Sequence, residues 1–184
     1  MIFDSDERLI SKALNGHESA WVKLVKRYEK RIYNHCLRLT GATDDAMDIV
    51  QEVFISVFRN LPNYRGDGVF PAWLFRIATN RCTDFLRRRN TNPLSHSHDD
   101  ATEDLVSTQV AEEDLHRSQS NRSVLKMLAC LTLEQRHVVE LKMFQNMTFD
   151  EIEQYTGLSA NTAKTRFYSA LKKLKENTEI AHAV

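Results

Sequence analysis

Apolar residues recur at intervals of three and four along almost the whole of this 184-residue chain, and one long stretch, Thr91 to Asn121, breaks the rhythm. That spacing is the period of a helix face, and no alternating strand pattern competes with it, so the expected fold class is all-α. Four helices are expected before the break. The first runs from about Asp6 to Leu14, with Leu9, Ile10, Ala13 and Leu14 on one side, and stops at Asn15 and Gly16. The second places Trp21, Leu24, Val25, Tyr28, Ile32, Cys36 and Leu39 on a stripe and ends at Gly41. The third opens at Thr43 or Asp44, whose side chains can cap free amides, and runs to Leu61 just before Pro62. The fourth opens at Pro71, a favoured first-turn residue, and runs to Arg89. After the break come helices at about Arg122 to Ala129, Leu133 to Phe144, Thr148 to Tyr155 and Asn161 to Lys175.

The break is rich in Ser, Thr, Asn and acid, which cannot bury enough apolar surface to fold by itself. Residues 91–121 read as a flexible linker between two small helical domains, 1–90 and 122–184. The formal net charge of zero hides an uneven distribution. Residues 1–90 hold 15 Lys and Arg against 11 Asp and Glu, residues 91–121 hold 1 against 7, and residues 122–184 hold 9 against 7. Two mildly basic blocks therefore flank an acidic strip. Cys36, Cys82 and Cys130 are too far apart for a disulfide framework or a zinc site and read as core thiols. His96, His98 and Asp99 sit in the linker without a further ligand nearby, and no cofactor is expected. The charged opening, with Asp4, Asp6, Glu7 and Arg8, is unlike a signal peptide, and no run approaches the ~18 apolar residues of a membrane span, so a cytoplasmic protein is expected.

The last two helices carry a chemical signature. Thr148 and Glu151 have the spacing of a capping box, the helix they start breaks at Thr156, Gly157 and Leu158, and Ser159 caps another after only a few residues. This is a helix-turn-helix arrangement. On its second helix Ala163, Phe167, Ala170, Leu171 and Leu174 share one face, which leaves Asn161, Thr165, Tyr168, Ser169 and Lys172 pointing outward with Lys164 and Arg166 beside them. Asn161 to Lys175 holds five basic residues and no acid, a balance suited to a major groove walled by phosphates.

Two stretches of the first domain stand out as well. In the fourth helix Leu74, Ile77, Ala78, Cys82 and Phe85 form a buried stripe, leaving Trp73, Arg76, Asn80, Thr83 and Arg87 on the other side, with Arg88 and Arg89 extending the charge. Aromatic faces that stack on bases, mixed with cations that track a backbone, suit unpaired nucleic acid, and the loop Tyr64-Arg65-Gly66-Asp67-Gly68 beside them could enclose an extruded base, although Trp73 taken alone reads more readily as packed against a neighbouring helix. In the third helix Ala46, Ile49, Val50, Val53, Phe54, Val57 and Phe58 read as core, while Asp44, Asp48, Gln51, Glu52 and Ile55 line a second, acidic face. A solvated face and a partner-binding face both fit that pattern.

These stretches in this order, Asp45-Ala-Met-Asp-Ile-Val-Gln-Glu-Val-Phe54, then Tyr64-Arg-Gly-Asp-Gly with Ala72-Trp-Leu-Phe-Arg-Ile-Ala-Thr-Asn80, then the terminal helix-turn-helix, resemble the extracytoplasmic-function sigma factors of the sigma-70 family. The resemblance implies a sigma-2 domain over residues 1–90 and a sigma-4 domain over about 122–177. It implies a non-enzymatic protein that binds core RNA polymerase, through the clamp helices of the beta-prime subunit, by way of Asp48, Gln51 and Glu52. The loop Tyr64 to Gly68 and Asn80 would read the minus-10 element, with Trp73, Arg76 and Arg87 close by. Lys164, Thr165, Arg166, Tyr168 and Ser169 would read the minus-35 element. It also implies control by an anti-sigma protein, which would provide any attachment to the membrane. Two other classes remain open on the residues alone, a stand-alone helix-turn-helix regulator and a helical interaction scaffold. A catalytic triad, phosphate loop or metal cluster at useful spacing is not found, which disfavours an enzyme.

Overall fold

A computed structural model describes residues 4–64, 66, 70–91 and 122–182, with the side chains of 90, 91 and 178–182 excepted. Linker residues 92–121, with His96, His98 and Asp99, and loop residues Arg65, Asp67 and Gly68 lie outside the described residues, whereas Thr91, expected in the linker, is helical. Those that are described are helical, without strands, and fall into two compact units, residues 4–91 and 122–182.

The first unit is built from α1 (Asp6–Leu14), α2 (Glu18–Thr40), α3 (Thr43–Asn60), a 3-10 turn (Leu61–Asn63) and α4 (Phe70–Thr91). α2 is the hub, packing on α1, α3 and α4. Its stripe Leu24, Tyr28, Ile32, Cys36 and Leu39 meets Ala46, Ile49, Val53 and Val57 of α3 and Leu74, Ala78 and Cys82 of α4, all buried. Gly41 ends α2 in the left-handed region at φ 81°, as the sequence predicts. Asp6 fixes α1 to α2: one carboxylate oxygen accepts from Arg27 and the other from the Tyr28 hydroxyl. Burial, and then the Asp6 bond, push the Tyr28 hydroxyl above its usual value. Between α2 and α4 the buried His35 ring lies 2.9 Å from the Thr79 hydroxyl, edge-on to Phe75.

Some expectations are corrected here. Neither Thr43 nor Asp44 caps α3: Ala42 takes the cap position, with no side-chain bond. α4 begins one residue early, at Phe70. Phe58, expected in the core, is 59% exposed: at the end of α3 the buried side is taken by Ser56, Val57 and Leu61, which turns Phe58 outward with its ring edge-on to Trp21 at 5.3 Å. Leu14 is likewise exposed at the end of α1.

The second unit holds α5 (residues 122–129), α6 (Leu133–Val139), a wide π-type turn (Glu140–Phe144), α7 (Phe149–Thr156) and α8 (Ala160–His182). Its core joins Leu128, Leu131, Val138, Val139, Leu141, Ile152, Ala163, Phe167 and Ala170. Leu171, assigned to that face from spacing, is exposed at its edge. The single helix expected over Leu133 to Phe144 instead widens after Val139. There Gln145 N–H donates to Glu140 O, five residues back, and the Gln145 amide donates to the buried Glu140 carboxylate at 3.2 Å. Asn146 then reverses the chain at φ 56°, a conformation its short side chain tolerates. Arg136 donates to Leu128 O and Leu131 O, and burial lowers its pKa. Cys36 and Cys82 are buried, whereas Cys130 is half-buried with its thiol on Met127 O.

Candidate nucleic-acid interface

The turn between α7 and α8 is held at every step. Thr148 accepts from Glu151 N–H at 3.2 Å, and the Glu151 carboxylate accepts from Thr148 N–H at 2.6 Å, closing the expected capping box. The Thr148 N–H first, and then the Thr148 hydroxyl donating to the same carboxylate at 2.9 Å, hold the Glu151 carboxyl below the usual range. Gly157 takes φ 75° and donates to Glu153 O. A Cβ there would meet open space, so the demand for glycine comes from the backbone angle rather than from crowding. Ser159 accepts from Thr162 N–H at 3.2 Å as expected. Sequence reasoning missed Glu153, whose carboxylate accepts from Ala160 N–H at 3.1 Å and so gives α8 a second cap.

With the turn fixed, α8 presents the expected outward set. Asn161, Lys164, Thr165, Tyr168, Ser169 and Lys172 are exposed and Arg166 is half-buried. The Thr165 hydroxyl donates to Asn161 O at 2.9 Å, so it faces outward with an acceptor oxygen and a methyl group. Tyr168 is 61% exposed, yet its ring rests edge-on against Phe167 and tilted against Phe149. Ser169 is less free than its exposure implies. Its hydroxyl accepts from the buried Gln135 amide at 3.0 Å, while the Gln135 oxygen accepts from Thr132 N–H and from Lys173. Gln135 thus pins α8 to α6, a role its sequence context did not signal. The Glu134 carboxyl is held low by its own backbone N–H, by Thr132 and, least, by the Arg166 charge. Lys172 lies 3.9 Å from Glu176, both exposed, an ion pair of little energy.

In the first unit α4 carries Arg76, Asn80, Thr83 and Arg87 as an exposed stripe at intervals of four, three and four. Arg87 pairs with Asp84 at 3.0 Å. Trp73 follows the packed alternative: it is half-buried, with ring centroids 5.2 Å from Tyr64 and 5.7 Å from Phe70. Tyr64 and Trp73 therefore act as one aromatic block at the head of the stripe, and Phe70 backs it against Tyr28. Gly66 has φ 74° in the adjoining loop.

On α3 the residues Asp48, Gln51 and Glu52 are exposed, one turn apart. They are interleaved with Met47 and Ile55, 52% and 51% exposed, so this face is partly apolar as well as acidic. Glu52 lies 4.0 Å from Arg81 of α4, whose guanidinium also donates to Ser56.

Two family descriptions match the chain: Sigma-70 region 2 over residues 24–91 and Sigma-70, region 4 over residues 121–174. The chain is 31% identical over 157 residues to the ECF RNA polymerase sigma factor SigE of Mycolicibacterium smegmatis, spanning 85% of this chain and 61% of that protein. It is 27% identical over 177 residues to the ECF RNA polymerase sigma factor SigW of Bacillus subtilis, spanning 92% and 95% respectively. Its fold is similar to that of the sigma factor RpoE solved with the anti-sigma factor NepR from Bartonella quintana. The TM-score is 0.65 at 19% identity, covering 86% of this chain and 96% of that one.

Proposed function

The chain belongs to the sigma-70 family, in its extracytoplasmic-function branch, and from that premise we propose that it is an alternative sigma factor that brings core RNA polymerase to promoters and opens them. Residues 1–90 act as the polymerase-binding and minus-10 domain, residues 122–184 as the minus-35 domain, and residues 91–121 connect them. The observation that supports this reading is the presence in one chain of two surfaces of different chemistry. One is a capped helix-turn-helix built for duplex. The other is an aromatic and cationic stripe suited to unpaired strand.

Each surface has a distinct task. Asp48, Gln51 and Glu52, with Met47 and Ile55 between them, dock on the polymerase clamp helices. Tyr64 and Trp73 stack at the edge of the melted minus-10 element, where Asn80 and the loop of Arg65, Gly66 and Asp67 read a base and Arg76 and Arg87 follow the backbone. In the minus-35 groove Asn161, Thr165 and Tyr168 face the bases, with Ser169 at the margin, while Lys164, Arg166 and Lys172 hold phosphates. The polymerase performs the chemistry, so this chain needs no catalytic group or cofactor. It works in the cytoplasm, and an anti-sigma protein restrains it, as NepR partners the similar RpoE.

Run-off transcription from a randomised promoter library, with core polymerase and the full chain, tests the reading. Transcripts that depend on both partners and on a common pair of elements are expected. Isolated, the chain should hold duplex weakly, since its net charge is zero. Tight, sequence-specific duplex binding without polymerase would instead establish a stand-alone regulator.

A further inference from the structure

We propose that Phe149 is a platform that orders two ammonium groups, Lys142 and Lys164, as a paired phosphate contact, so that Lys142, outside the helix-turn-helix, belongs to the duplex interface. The inference rests on the minus-35 reading proposed above. The two lysines come from different elements, the wide turn and α8, yet their ammonium nitrogens lie 5.0 and 5.9 Å from the centroid of the same ring. The electron-rich faces of an aromatic ring attract such cations, so one ring holds an ammonium group from each of the two elements. Lys142 has a second tether, a hydrogen bond of 3.1 Å to Met147 O, which uses one of its three N–H donors and leaves two to offer. The platform is itself fixed, edge-on to Phe167 at 5.7 Å and tilted against Tyr168 at 6.5 Å. One ring thus sets the positions of both cations and of the exposed Tyr168.

The charges around this ring explain why a second cation is needed. The first helix of a helix-turn-helix crosses the DNA backbone, and a helix start normally welcomes phosphate through its free N–H groups. Here the first turn of α7 carries Asp150 and Glu151 directly after Phe149, and Glu151 is spent on the Thr148 cap. Two carboxylates at that position repel a phosphate strand. Lys142 and Lys164 restore the positive sign beside them. Because Lys142 is already ordered by the ring and the carbonyl, it gives up little side-chain freedom when DNA arrives.

The test uses holoenzyme made from core polymerase and the full chain, on a promoter recovered from the library, with affinity measured against salt. Lys142→Met keeps the stem and removes the charge. It should lower affinity about tenfold, equally for all minus-35 sequences, and reduce the salt slope by about one. Phe149→Leu retains both charges, so the slope should hold while affinity falls about threefold, and the Lys142→Met effect should shrink in its background. Lys142→Arg and Phe149→Tyr should bind as the parent does, which keeps the test valid if the leucine variant folds poorly. An unchanged slope in Lys142→Met, with parental binding still dependent on the minus-35 element, overturns the platform alone. Parental binding indifferent to that element overturns the promoter reading and the platform together.

Discussion

Reversing the charge of α3 by the double substitution Asp48→Arg, Glu52→Arg should separate folding from polymerase binding. Within the chain the cost is small. Both side chains are exposed, and the ion partner of Glu52 is Arg81, 4.0 Å away with each side chain about half exposed. Losing that pair and placing a like charge beside Arg81 should cost under about 1 kcal/mol of stability. At the interface the arithmetic differs. Two reversals change the charge of the docking face by four units, on a surface where Met47 and Ile55 must also be desolvated. Like charges brought together across an interface cost several kcal/mol, so a loss of at least about 3 kcal/mol, or roughly 100-fold in affinity, is expected. Fluorescence anisotropy of labelled full chain titrated with core polymerase measures the second quantity, and thermal melting by circular dichroism the first. Affinity within twofold of the parent, with melting unchanged, would show that this face is merely solvated and refute the argument.

Asn80→Ala removes an exposed side chain from the α4 stripe, so melting should hold while open-complex formation, read by permanganate footprinting, declines and preference at one minus-10 base relaxes. In the second unit Thr165→Val removes the outward acceptor and should change preference at one minus-35 base pair by about 1 kcal/mol, whereas Lys172→Ala should weaken all promoters alike and lower the salt slope by about one. Gly157→Ala puts a Cβ at φ 75° and should destabilise the second unit by about 1 kcal/mol or more in a melt, with asparagine at that position costing less. Because the Tyr28 pKa is raised by folding, its contribution is present below about pH 10 and fades as pH climbs through the raised folded value. An alkaline melting series should therefore fall less steeply for Tyr28→Phe.

The parts of this protein legible in its sequence are those governed by neighbours a few residues apart. Helix periods, the Gly41 and Gly157 ends, the Thr148 and Ser159 caps and the outward set of α8 depend on such local relations, and they are found where the pattern puts them. The errors fall where a side chain's fate depends on how far the opposite element reaches. Leu14 lies at the end of its helix, and Phe58 and Leu171 lie at the edges of stripes whose width spacing alone does not measure. That Trp73 packs is legible in α4, but that it packs on Tyr64 is not, because the chain's return past that ring is a tertiary relation. Gln135, Glu153 and Lys142 were overlooked for a related reason: each bonds to a residue that only the tertiary fold brings near, or that a turn of unforeseen width redirects.

The wide turn Glu140–Phe144 makes chain length itself a constraint. A helix advances by about 100° per residue, so deleting one residue between Glu140 and Met147 would invite the turn to tighten into ordinary helix and swing everything after it by roughly that angle. The buried Glu140 carboxylate would lose Gln145, and Lys142 would turn away from Phe149. Variants of this chain should therefore tolerate substitutions across this segment far more readily than a single insertion or deletion, because a change of side chain alters one contact whereas a change of count re-aims α7 and α8.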